Sequence, residues 1–166
     1  ASIGGLREEK AQLLRAVVAC FKEAEGLQVV ASASLPQRPG LLLSRRGLKV
    51  YGWLPQHRAY LRAADVLITH GGHTSIAEAL CTATPMVIAP LKGHTERLGN
   101  ARSMEELGVA KVVDLETQGP KGLGEAVEEV LNDDSYRERA EELAEEALKH
   151  SAIEEVLNEV LRLRHA

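Results

Sequence analysis

With 166 residues, 45% of them apolar, the chain is long enough for one domain with a real hydrophobic core. Aromatic residues make up 3%, with one Trp and one Phe, which argues against recognition of single-stranded nucleic acid by base stacking, so no nucleic-acid partner is expected. The net charge of −4 divides unevenly: residues 1–103 carry 13 Lys+Arg against 7 Asp+Glu, and residues 104–166 carry 7 against 17, so a basic part able to face an anionic ligand or membrane surface precedes an acidic, solvated helical part.

In chain order, Ala1-Ser2-Ile3 reads as the stub of a strand ended by Gly4-Gly5. Leu6, Leu13, Leu14, Val17, Val18 and Phe21 follow a helical period over residues 6–25, and Gly26 stops it. Residues 27–31 form a strand. Residues 35–47, with two prolines and two glycines, read as a loop. Strands follow at 48–51, 65–69, 85–89 and 110–113. Helices are expected at 56–63, 74–83, 96–107, 121–132, 134–149 and 151–164. Short β-branched strands alternating with helices predict an α/β fold: a Rossmann-like, doubly wound parallel sheet of about six strands, with residues 1–166 as a single domain. In such sheets ligands bind beyond the carboxyl ends of the strands. The informative loops are therefore those after Ile3, Tyr51, Thr69 and Ala89.

No apolar run approaches the length of a membrane span, and no secretory signal leads the chain. Cys20 and Cys81 both fall in helical apolar patterns. They read as small core residues in a reducing, cytoplasmic compartment. The chain opens on Ala1 rather than Met, so a missing upstream part is expected, anything from one residue to a whole domain.

The loop after the fourth strand reads His70-Gly71-Gly72-His73-Thr74-Ser75-Ile76-Ala77-Glu78. Its glycines let backbone approach a ligand closely, and the helix behind it turns free amides and the positive end of its dipole outward. Thr74 and Ser75 add hydroxyls, so the loop suits a phosphate. Ser75-x-x-Glu78 also fits a capping box, in which Ser75 caps the helix and Glu78 reaches back to its amide. These residues alone leave both readings open. His70-x-x-His73 has metal-ligand spacing but no obvious third ligand, and no Asp-x-Asp seats a divalent ion, so no metal is expected.

The ordered series Trp53-Leu54-Pro55-Gln56, His70 through Leu80, Thr84-Pro85-Met86-Val87, Pro90, Glu96 and Asn100-Ala101-Arg102 resembles the donor signature of GT-B glycosyltransferases. It is similar above all to the UDP-glycosyltransferases and their bacterial and archaeal relatives, and also to the lipid-linked N-acetylglucosaminyltransferases. Glu106-Leu107-Gly108-Val109 and Asn132 through Arg137 continue the pattern, so the resemblance covers nearly the whole chain. It implies that the chain is the C-terminal, donor-binding half of a GT-B enzyme. The donor substrate would be a UDP-sugar, with no further cofactor.

The resemblance further implies that Trp53 stacks on the base while the Leu54 backbone reads its edge. Without it, a lone Trp after a strand reads more readily as a partly buried core residue. Gln56 would bond the base or ribose. His70, Ser75 and the backbone through Gly72, His73 and Thr74 would hold the diphosphate, with Gly4 and Gly5 as the opposite wall. Glu78 would accept both ribose hydroxyls, since a carboxylate presents two acceptor oxygens. Glu96 would contact hydroxyls of the sugar, next to Arg97. The family often has Gln at position 97, and Lys92-Gly93-His94-Thr95 lengthens the stretch before Glu96.

No residue here is an obvious general base for an acceptor, which implies no catalytic residue in this chain. The base and the acceptor pocket would belong to a missing N-terminal domain or a partner subunit, through which peripheral membrane contact is also expected. A nicotinamide-dependent oxidoreductase fits poorly, because Gly4-Gly5 does not extend into Gly-x-Gly-x-x-Gly. The rival from another class is a non-catalytic nucleotide-binding domain with an assembly or regulatory role.

Overall fold

The computed structural model describes residues 7–91 and 93–149. Its elements alternate: α1 (Arg7–Phe21), β1 (Val29–Ser32), β2 (Leu41–Arg45), β3 (Leu48–Tyr51), α2 (His57–Arg62), β4 (Leu67–Thr69), α3 (His73–Cys81), β5 (Met86–Ile88), α4 (Thr95–Glu106), β6 (Ala110–Val112), α5 (Gly119–Asn132) and α6 (Ser135–Lys149). The strand expected at Ala1-Ser2-Ile3, the Gly4-Gly5 wall and the helix at 151–164 lie outside the described residues.

The short strands β4 and β5 show why the fold has helices on both faces. Side chains alternate across a sheet. Ile68, Val87 and Ala89 enter one core with Leu13, Val17 and Phe21 of α1 and Leu123 and Val127 of α5. Leu67, Met86 and Ile88 enter the other, with Leu61 of α2, Ile76 of α3, Ala101 of α4 and Ala140 of α6. All three residues of each strand are buried, as a parallel strand covered on both sides requires. The doubly wound expectation therefore holds.

The six strands form two three-stranded blocks, ordered β2-β3-β1 and β4-β5-β6. β1 pairs with β3, β4 with β5, and β5 with β6 in parallel. The loop expected over 35–47 needs correction. Residues Leu41–Arg45 form a strand antiparallel to β3, joined to it through Arg46 and Gly47, where Gly47 takes a φ of +76°. A Cβ there would lie 2.6 Å from the Leu27 carbonyl oxygen, so glycine is required by both torsion and space.

Cys20 is half-buried in α1, and burial, then the nearby Glu128, pushes its thiol up. Cys81 departs from expectation: at the last position of α3 it is exposed, since the buried face of that helix falls on Ile76 and Ala79. Among the described residues, no helix is long and apolar enough to cross a membrane.

Candidate functional site

A cleft runs along β1 and β4, from residues 26–28 and 63–66 before those strands to Ser32, Ser34, Trp53-Leu54 and the amino end of α3 at their carboxyl ends. One wall is Gly52-Trp53-Leu54 after β3. The stretch 35–40 folds directly over it: Leu35 N donates to Gly52 O at 2.6 Å and Gly52 N to Gly40 O at 2.9 Å. A Cβ on Gly52 would overlap the Arg38 carbonyl oxygen, so no other residue fits. Leu54 is buried, which fixes the stretch, while Trp53 stays 41% exposed at the cleft. A Trp filling a core would be covered, and this one is partly open to solvent.

The residues on either side of Gly71 also line the cleft. Gly71 has a φ of +85°, and its missing Cβ would lie 3.1 Å from both the Arg97 carbonyl oxygen and Ile88 Cγ2. Asn100 Nδ2 donates to Gly71 O at 3.1 Å, binding the turn to α4. His70 is buried, and its ring lies against Gly72, two residues on: a Cβ there would come within 2.9 Å of His70 Nε2. Gly72 is the N-cap of α3, and the first bond of the helix runs from Ile76 N to Gly72 O at 3.1 Å. The amides of His73 and Thr74 come before that first bond, at the positive end of the helix.

This start corrects the capping-box reading. With Gly72 as N-cap, Ser75 is the third residue inside the helix and Glu78 lies a turn deeper. The Glu78 carboxylate turns away to α2. Its Oε2 lies 2.9 Å from His57 Nε2, and its Oε1 accepts from Arg58 Nε at 3.0 Å. The side chain is only 15% exposed. Burial pushes its pKa up, but hydrogen bonds from Arg58 and His57, with their charges, outweigh burial and hold it below the ordinary value of 4.5.

A pH dependence follows. A depressed folded-state pKa contributes stability that is present above the unfolded value and lost as pH falls through the folded one. The stability difference between the parent and Glu78→Gln, measured by chemical unfolding, is expected to hold from neutral pH down to about 4.5 and to shrink on further acidification. A difference independent of pH across that range contradicts an ionised, gripped Glu78.

Of the residues singled out in the sequence, Trp53, Leu54, His70 and Gly72 line the cleft, and so do His73, Thr74, Ser75, Glu78 and Arg97. Gln56, the exposed N-cap of α2, and Glu96, exposed in the first turn of α4, are not part of its wall. His57, Arg58 and the serines Ser32 and Ser34 are further groups of the site or its support. No local pattern marks them. Asn100 was visible only as part of the family-like series. Among the described residues, no three His, Cys, Asp or Glu side chains converge as a metal site.

The sequence pattern of the family described as UDP-glucoronosyl and UDP-glucosyl transferase matches residues 7–152. A Methanosarcina mazei protein, described as an uncharacterized glycosyltransferase, is 37% identical over 101 residues, 59% of this chain and 26% of that protein. UDP-glucuronosyltransferase 2A3 of Mus musculus is 32% identical over 143 residues, 86% of this chain and 25% of that protein. The solved glycotransferase of kitacinnamycin is similar at a TM-score of 0.79 and 28% identity, over 97% of this chain and 41% of that one. Glycosyltransferase VinC, solved in complex with dTDP, shares the fold at a TM-score of 0.71 and 20% identity, over 90% of this chain and 37% of its own. The chain thus spans about a quarter of the length of these two relatives and about two fifths of the solved enzymes.

Proposed function

The chain belongs to the UDP-glucoronosyl and UDP-glucosyl transferase family, as one Rossmann-like half of a GT-B fold, and from that premise we propose that its cleft holds a UDP-sugar donor for glycosyl transfer to an acceptor presented by a further domain or a partner subunit. The observation that carries this reading is that Trp53 and the amino end of α3 line one cleft, with Glu78 a turn behind that end. The exposed Trp53 ring takes the base, with the Leu54 backbone at its edge. The α3 amides, His70 and Ser75 take the diphosphate, and Glu78 takes the ribose hydroxyls. Arg97 adds a positive charge where the diphosphate meets the sugar. Gln56 and Glu96 join the site by turning inward from the surface.

In the transfer reaction the glycosidic bond to the diphosphate breaks and negative charge grows on the leaving oxygen. Helix-terminal amides aimed at that position stabilise the charge without reorganising. This domain therefore supplies leaving-group stabilisation, while the base that activates the acceptor lies elsewhere. The fold itself does not decide the nucleotide, since VinC was solved with dTDP. Glu78 is the group that favours a ribose.

Titration calorimetry of the 166-residue chain is expected to give weak binding of UDP and weaker binding of NAD, whose fingerprint loop the sequence lacks. NAD binding as tight as UDP binding ends this reading.

A further inference from the structure

Helix α2 is six residues long, yet it is firmly seated. Leu61 is buried in the core, and its carbonyl accepts a buried hydrogen bond of 3.1 Å from Thr84 Oγ1, two residues before β5. The first two residues of α2 are thereby held over α3, each giving Glu78 one contact: His57 on Oε2 and Arg58 on Oε1. An ionised carboxylate offers about four lone-pair sites. Among the described residues, one contact on each oxygen leaves one site on each oxygen, the arrangement that two hydroxyls on adjacent carbons need.

His57 and Glu78 both line the cleft, whereas Arg58, its side chain 77% exposed, is not part of the cleft wall. We propose that His57 and Arg58 are positioning residues of the nucleotide site. They hold Glu78 in the one orientation that accepts the 2′- and 3′-hydroxyls of a ribose together, and so make the site select ribonucleoside over 2′-deoxyribonucleoside diphosphates. This rests on the donor-site reading above. A glutamate side chain rotates about several bonds, and ordering it during binding weakens affinity. With α2 in place, that ordering is complete before the nucleotide arrives.

The test is titration of UDP and 2′-deoxy-UDP into the parent chain, His57→Ala, Arg58→Ala and Arg58→Lys, with unfolding curves to verify that each variant is folded. The parent is expected to prefer UDP by roughly tenfold or more, the range of a hydrogen bond to a charged group. Both alanine variants are expected to shrink that preference by weakening UDP binding more than 2′-deoxy-UDP binding. Arg58→Lys is expected to recover part of it. A merely structural role weakens both nucleotides alike and leaves their ratio untouched, which overturns the proposal. So does tighter UDP binding by either alanine variant, which shows α2 competing with the ribose rather than preparing its partner. If the parent binds neither nucleotide, the donor-site reading itself fails, and this inference with it.

Discussion

Replacing Gly71 by valine is expected to lower the stability of the domain by about 1–3 kcal/mol and to remove measurable UDP binding. Two causes act together. Gly71 sits at a φ of +85°, a region that β-branched residues avoid. Its Cβ direction also points at backbone and core, with the Arg97 carbonyl oxygen and Ile88 Cγ2 each 3.1 Å away. Ile88 is fully buried and the Arg97 carbonyl belongs to α4, so neither neighbour yields easily. The turn must move instead. That movement strains the Asn100-to-Gly71 hydrogen bond and carries Gly72 and the α3 amides with it.

Gly119→Val separates the two causes. Gly119 has a φ of +60°, but nothing lies within 4 Å of its Cβ position, at the start of α5. It should lose stability from torsion alone and bind UDP like the parent. Chemical unfolding and titration calorimetry on the two variants check this. A Gly71→Val chain that keeps parental stability and UDP affinity refutes the described role of the turn.

The purified chain alone is expected to transfer no sugar to any acceptor above the background of donor hydrolysis. Trp53, 41% exposed, leaves a base stacked on it with a face toward water unless a second surface covers it. An uncovered donor lacks the orientation that contributes several kcal/mol to the lowering of a barrier, and water screens the charges around its diphosphate. The imidazole that lines the cleft closest to Glu78, His57, is engaged with that carboxylate rather than poised as a base. Mass spectrometry of incubations with UDP-sugars and a panel of acceptor alcohols provides the measurement. Robust transfer to a defined acceptor contradicts the expectation and directs attention to His73 or His94 as a base.

Much of the core was legible because burial on both faces writes itself into composition. Runs such as Val66-Leu67-Ile68 and Met86-Val87-Ile88 have few alternatives to a parallel strand between helices. β2 was not legible. Its leucines Leu41 and Leu42 are about half-exposed, and what makes it a strand is backbone pairing with β3 rather than a buried face. Flanked by Pro39, Gly40 and Gly47, it carries the punctuation of a loop. The exposure of Cys81 escaped for a related reason: a helical apolar period does not say which residue falls beyond the last buried turn.

The sequence by itself determined the doubly wound arrangement and pointed to the loop proposed here as the phosphate site, because a glycine-rich strand-to-helix junction offers its amides whatever packs around it. It also determined the candidate roles of Trp53, His70 and Glu78, through a series of residues ordered along the chain. Only the tertiary structure decided what Glu78 does without a ligand. Ser75-x-x-Glu78 satisfies a capping box and a ribose site equally well on paper. What excludes the capping box is where α3 starts and the two partners, 20 and 21 residues earlier in the chain, that α2 brings within 3.0 Å. Local spacing fixes which groups can meet within one turn of a helix. Which of two short helices lies over the other is set by Leu61 and Ile76 sharing one core and by the Thr84 bond to Leu61, contacts made only when the chain has closed on itself.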